Sequence, residues 1–305
     1  MAIYDCFTFY NEFELLELRL KTLYDAVDYF VIVESDKTHR NIPKKFNFEE
    51  RQEEFAVYMP KIRYIKETDI LPYTGKGDWT LENHQRNCIM RGLYDAQPDD
   101  YVFISDLDEI PHPEFIKRLE RNELKIHFFG HKALLDRRLK KYRRLNRIKF
   151  ALLHPQSLFR SLSNREFLEH SPLVTEQDFF YYFLNCHSKG LWYGSILVLF
   201  KNLKLPQELR NIRNRLPRVE KGGWHFSYMG GVERIIVKMN SIVEGNEEIA
   251  VPQHIEACLR EGKDVYGRTG AADFEFEFCK LEDIGLLKIE DFVKKYPEFY
   301  YEFNQ

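Results

Sequence analysis

Hydrophobic and polar positions along the chain change period from element to element, most regularly in the first third. Residues 2–9 (AIYDCFTF) read as a strand that ends in a turn at Tyr10 and Asn11. Phe13, Leu16, Leu20, Leu23, Tyr24 and Val27 then recur at helical spacing, and Asn11 with Glu14 three residues on has the pattern of a capping box. Residues 28–35 (DYFVIVES) form a nearly continuous apolar run, as expected of a strand buried on both faces. Residues 37–60 are polar and irregular, with a short helix expected over 48–59. An alternating strand at 61–66 (KIRYIK), a loop at 68–78, a helix over 79–94 and a fourth strand at 101–105 (YVFIS) follow. This alternation predicts an α/β fold, a Rossmann-like sheet flanked by helices. The turn after the first strand reads Tyr10-Asn11-Glu12-Phe13 and lacks the glycine fingerprint of NAD-type sites.

Residues 123–200 are strand-rich and aromatic. The last third opens on GGWHFSYMGG (222–231), and an amphipathic helix is expected over about 232–244, followed by further helix and a charged, aromatic tail. No Pro/Ser-rich linker or repeat interrupts the chain. We therefore expect one domain over 1–245 with a helical C-terminal extension, 246–305, packed on it. Among 305 residues, 44% hydrophobic and 15% aromatic content excludes disorder as the main state. The net charge of −3 gives no reason to expect a nucleic-acid partner. The five cysteines are scattered and odd in number, and no CxxC or Cys/His spacing points to zinc, so free thiols are expected. Acidic residues come too early for a signal peptide, and no apolar run approaches the ~20 residues that span a bilayer. A cytoplasmic protein is the expectation. Arg137 to Lys149 carries eight basic residues and no acid. It reads as a solvated face that would also suit peripheral contact with an anionic membrane.

The sharpest chemical feature is Ser105-Asp106-Leu107-Asp108-Glu109-Ile110-Pro111. Asp106 and Asp108 flank one residue at the carboxyl end of a buried strand, where open α/β sheets bind ligands. Crowded carboxylates repel unless a positive group compensates, and Mg²⁺ or Mn²⁺ does so while leaving positions for substrate phosphates. The competing reading is an acidic loop that caps the next helix. On the 79–94 helix, Glu82 and Arg86 share a face with apolar residues. They read either as an ion pair at the core rim or as Arg86 aimed at a phosphate or the carboxylates. In the glycine-bracketed segment, Trp224 is placed to stack on a ring and His225 to ligate a metal, against the plainer reading of a core strand between tight turns.

The opening 4–35, the helix ENHQRN, the segment ISDLDEIP and GGWHFSYMGG together resemble glycosyltransferase family 17, the β-1,4-mannosyl-glycoprotein β-1,4-N-acetylglucosaminyltransferases. The resemblance spans roughly residues 1–245. It implies a GT-A type fold, a UDP-sugar donor, a glycan or glycolipid acceptor, and inverting transfer of a GlcNAc-like sugar. By this resemblance Asp106 and Asp108 would hold Mn²⁺ or Mg²⁺ against the donor diphosphate, with His225 as a third ligand. Phe9, Asn11, Glu12, Glu34, Arg86 and Trp224 would join Asp106 around the donor. Inversion needs a carboxylate to take the acceptor proton, and Glu109 and Glu233 are the candidates. Trp79, Trp192 and Trp224 are candidate sugar platforms. The alternative is a non-catalytic carbohydrate- or nucleotide-sugar-binding protein on the same fold. A phosphohydrolase is disfavoured, because no second cluster of His and Asp stands at metal-pair spacing.

Overall fold

The computed structural model describes residues 1–126, 162–269, 274–286 and 288–302. A nine-stranded mixed sheet runs through them in the order β3-β2-β1-β4-β9-β8-β10-β5. Its first half is parallel. β1 (Ile3–Phe9) pairs with β2 (Tyr29–Ser35) on one side and with β4 (Tyr101–Asp106) on the other, and β3 (Ile62–Glu67) lies beyond β2. The second half is mixed. β9 (Cys186–Leu199) runs antiparallel to both β4 and β8 (Leu173–Tyr181). β10 (Arg218–Ser227) is parallel to β8 and antiparallel to the short β5 (Glu109–Pro111). β11 (Phe276–Phe278) adds to β9, while β6 (Lys125–Ile126) and β7 (Leu162–Ser163) form a separate ribbon.

The apolar runs become central strands because both faces of the sheet are covered. Successive residues of β1 point to opposite sides. Ile3, Phe7 and Phe9 join the large core with α1 (Phe13–Leu23), whereas Tyr4 and Cys6 pack with Cys88, Ile89 and Leu93. α1 starts later than the capping-box pattern implied. Its N-cap is Glu12 with no side-chain cap bond, and the Glu14 carboxylate is taken by Arg234 at 2.5 Å. The helix expected over 48–59 is short, α2 (Asn47–Arg51), followed by tight 3-10 turns. The helix expected over 79–94 is α3 (Thr80–Asn87), tightened into a 3-10 turn over Cys88–Gly92. α4 (Pro113–Glu120) is capped not by the acidic loop but by His112, whose Nδ1 accepts from the Glu114 amide at 3.0 Å.

In the second half, α5 (Asn164–Leu168) and α6 (Pro206–Asn211) are short, and α7 (Gly231–Ser241) and α8 (Pro252–Glu261) are longer. The GGWHFSYMGG strand is longer than its glycines suggested. Gly222 and Gly223 lie inside β10, at a register shift between Val219 and Gly223. Gly223 has φ +147°, and a Cβ there would come within 2.1 Å of the Ile110 carbonyl oxygen, so glycine permits the close approach of β10 to β5. Beyond residue 245 the chain returns to the same core. Ile284, Leu286 and Phe299, with Ile289 and Phe292 of α9 (Ile289–Lys295), pack into the cluster that holds α1. Among the described residues no helix is long and apolar enough to cross a membrane. The basic block from Arg137 to Lys149 lies outside them.

Candidate active site

In an open α/β sheet, ligands bind beyond the strand carboxyl ends where successive crossovers diverge. Here that point lies between β1 and β4, since the chain leaves β1 for β2 on one side and returns to β4 on the other. A cavity of about 290 Å³ opens there. Phe9 and Tyr10 line it after β1, Asp106 to Asp108 after β4, and Glu82, Gln85 and Arg86 from α3. Phe179, Tyr181, Trp192 and His225 from β8 to β10 and Lys238 from α7 also line it, with Tyr266, Arg268 and Phe274 from the C-terminal region.

Three carboxylates in four residues are tolerated because arginines hold both the backbone and the side chains of this turn. Arg19 of α1 is fully buried and pairs bidentately with Asp5 of β1, at 2.7 and 2.5 Å. Its Nη1 donates to the carbonyl oxygens of Asp106 (3.0 Å), Leu107 (2.9 Å) and Glu109 (2.7 Å). One guanidinium thus fixes the turn to the middle of β1. Glu109 is 0% exposed. It accepts from Arg210 Nη1 (2.7 Å) and Nη2 (3.0 Å), from Trp192 Nε1 (2.7 Å) and from the Asp106 amide (2.9 Å). The Asp106 side chain is 34% exposed and faces the cavity, with Oδ1 on Arg86 Nη2 (2.9 Å) and Oδ2 on Arg210 Nη2 (2.6 Å). Burial opposes ionisation of Asp106, but Arg210 and Arg86 outweigh it and hold the carboxyl well below the usual range. Arg213 adds a further guanidinium, 5.0 Å over the Trp192 ring.

Asp108 meets a second set of partners. Lys238 Nζ donates to its Oδ2 at 2.9 Å, and His225 Nε2 lies 3.6 Å from its Oδ1. Burial raises the Asp108 carboxyl, but Lys238 and then His225 lower it more, so it is ionised well below the ordinary carboxylate range. Lys238 is pushed above its usual pKa in the same way: Asp108 and Glu12 outweigh burial. The His225 ring is sandwiched between Phe179 (centroids 4.9 Å, 12° between planes) and Trp192 (4.4 Å, 28°). Its Nδ1 is buried without a partner.

Asp106, Asp108, Arg86, His225, Phe9, Glu12 and Trp192 therefore share the cavity, and the other expected site residues do not. Trp224 is 2% exposed, stacks on His112 at 4.6 Å and donates from Nε1 to the Ile284 carbonyl at 2.7 Å. Its alternation in β10 turns it to the opposite face from His225, into the core. Glu34 is also buried. It accepts from the backbone amides of Asn47 (2.6 Å) and Phe48 (3.0 Å), from Lys44 (2.5 Å) and from Tyr64 (2.8 Å), so it anchors the start of α2 and is not a cavity group. Glu233 lies on the exposed side of α7, and Asn11 and Trp79 do not line the cavity. Glu109 is enclosed behind Trp192 and Arg210 with two donors on each carboxylate oxygen. Arg19, Arg210 and Lys238 hold the acidic turn and were not singled out by the sequence. Lys238 had a signal, as one of the polar residues of the amphipathic helix that follows the glycine segment. Arg210 had none, because it reaches the acidic turn across 101 residues of chain.

The donor set fits a divalent cation at one place. Asp108 Oδ1 and His225 Nε2, 3.6 Å apart, are spaced as two ligands of one ion can be, and both groups line the cavity. Asp106 does not join them. Both of its oxygens are paired to arginine, and among the described residues Asp106, Asp108 and His225 do not gather their ligand atoms within 4.8 Å of one another.

Comparison with known proteins bears on the first part of the chain. The Beta-1,4-mannosyl-glycoprotein 4-beta-N-acetylglucosaminyltransferases of Homo sapiens and Rattus norvegicus are each 33% identical over 108 residues, and that of Mus musculus is 32% identical. The match takes in 33% of this chain and 20% of each relative, so the chain spans about a fifth of their length. A solved structure, glucosyl-3-phosphoglycerate synthase from Mycobacterium tuberculosis with Mn2+, uridine-diphosphate and phosphoglyceric acid, aligns over 91% of this chain and 86% of that one. Its identity of 15% and TM-score of 0.26 are too low to carry an argument. Residues 1–135, which supply β1 to β4, Arg19, Arg86 and the acidic turn, match the family model of glycosyltransferase family 17.

Proposed function

We propose that the protein is an inverting glycosyltransferase that moves a GlcNAc-like sugar from a UDP-sugar to a hydroxyl of a glycan acceptor. The observation that carries this reading is the convergence of the Asp106–Asp108 turn with Arg86, Lys238 and His225 on one cavity at the β1/β4 crevice. The mixed sheet with a parallel N-terminal half supports the GT-A type arrangement that family 17 implies.

Arg86 and Lys238 supply positive charge where a leaving diphosphate accumulates negative charge. Asp108 and His225 would hold a divalent cation, Mn²⁺ or Mg²⁺, which when bound acts as a Lewis acid on diphosphate oxygens. Arg210 and Arg19 keep the turn rigid, so the charges are preorganised rather than recruited. The Trp192 indole, pinned by its bond to Glu109, holds the His225 ring in place. Inversion also requires a carboxylate to accept the acceptor proton. Among the carboxylates that line the cavity, Glu82, Asp106 and Asp108 are paired within 3.0 Å to Arg or Lys. Glu12 lies 3.7 Å from Lys238. Glu244 is exposed at the cavity and is in no ion pair of the described residues, which makes it the base of this reading.

Titration calorimetry with UDP-GlcNAc and other UDP- and GDP-sugars, with and without Mn²⁺, tests the proposal. Binding that strengthens with the cation and is lost in Asp108→Asn is expected. Absence of binding for every nucleotide sugar would overturn it. Tight binding without hydrolysis or transfer would instead leave a nucleotide-sugar-binding protein.

A further inference from the structure

We infer that Asp69, His84 and Cys88, with Glu67 as fourth ligand, form a zinc site on the face of α3 away from the cavity. His84 and Cys88 stand one helical turn apart, at the end of α3. Asp69 follows β3 in the next loop, and Glu67 is the last residue of β3. His84 Nε2 lies 2.7 Å from Asp69 Oδ2, 3.8 Å from Glu67 Oε1 and 3.5 Å from Cys88 Sγ. The ligand atoms of Asp69, His84 and Cys88 all fall within 4.8 Å of one another. Tetrahedral zinc, with bonds of about 2.0–2.3 Å, sets its ligands roughly 3.3–3.8 Å apart, so small side-chain shifts would seat the ion.

The donor chemistry selects the metal. Thiolate with imidazole favours zinc over the hard cations, which take oxygen. Glu67 is 2% exposed, and a buried carboxylate needs a compensating positive charge. Glu67 Oε1 accepts from the Asp69 amide at 2.7 Å, and the His84 ring nitrogen lies 3.8 Å from it. With the thiol proton displaced, two carboxylates and a thiolate around Zn²⁺ leave one negative charge. Arg91, already paired with Asp69, cancels it. The site would tie the loop after β3 to α3. It would also steady the cavity edge, because Lys37, which lines the cavity, donates to the Asp69 carbonyl at 2.8 Å.

Metal analysis of the purified protein by plasma mass spectrometry, followed by cobalt substitution, tests this. One zinc per chain is expected, and the cobalt form should show a thiolate-to-cobalt charge-transfer band. Both should disappear in Cys88→Ser and His84→Ala and persist in Cys279→Ser. They should also persist in Asp108→Asn, which separates this ion from any cation bound in the cavity. Asp69→Asn changes a half-exposed loop residue and serves if the α3 variants do not fold, and it should weaken zinc binding by more than about tenfold. Protein that neither retains nor takes up zinc, or zinc that survives His84→Ala and Asp69→Asn, overturns the site and leaves an ion-pair network of Arg91, Asp69 and His84.

Discussion

At the scale of single residues, carboxylates do different work because their surroundings differ. Glu109 is enclosed with Arg210 and Trp192, whereas Glu244 stands open at the cavity. The two positions should therefore fail in different ways. Glu109→Gln removes the charge that balances a buried guanidinium, and urea unfolding should show a loss of about 3–5 kcal/mol. Glu244→Gln should leave the unfolding midpoint unchanged and lower kcat by about 10²–10⁴-fold in a transfer assay. Equal kcat for Glu244→Gln and the unmodified chain would remove Glu244 from the mechanism. The DLD spacing was legible in the sequence, and so was its place after a buried strand. Which oxygen meets which cation was not, because Arg19, Arg210 and Lys238 arrive from other elements.

At the scale of elements, α4 shows how one half-buried ring couples a helix to pH. His112 caps α4 through Nδ1, which accepts a hydrogen bond only when unprotonated, and its ring stacks on Trp224. Burial lowers the His112 pKa in the folded chain. The unfolded chain, with an ordinary histidine near 6.5, takes up the proton first. The contribution of His112 is thus fully present above about pH 6.5 and is lost as pH falls toward the lower folded value. Denaturant unfolding at pH 7 and pH 5 should show this loss, of the order of 1 kcal/mol for a cap. In His112→Asn, which retains a capping side chain but cannot titrate, that part of the pH dependence should vanish. An unchanged pH slope would mean that His112 does not couple the helix to pH. The helix itself was readable, with Pro113 at its start. Its cap was not, since His is an unusual capping residue and the acidic turn before it offered a more conventional one.

At the scale of the whole molecule, the residues after 245 complete the structure that residues 1–245 begin. β11 extends β9, the Leu184 amide donates to the Phe299 carbonyl at 2.8 Å, and Asn185 holds both the amide and the carbonyl of Tyr301. Tyr266, Arg268 and Phe274 line the same cavity as the acidic turn. A chain truncated after residue 245 would expose the core that covers Trp224 and open one side of the cavity. It should lack cooperative thermal unfolding and near-ultraviolet circular dichroism. A soluble, cooperatively melting 1–245 fragment would show that the C-terminal segment is dispensable for the core.

The sequence by itself determined the parallel half of the sheet and the acidic turn at the end of β4. These follow from local period and from spacing within a few residues, which a linear chain displays directly. Tertiary structure alone decided that Trp224 points into the core, that Glu34 anchors α2 and that Glu109 is enclosed. It alone joined Asp69, His84 and Cys88, whose side chains meet only when the loop after β3 folds back on α3. A side chain's role depends on which distant groups desolvate or neutralise it, and the linear order carries no record of those partners until the strands are paired.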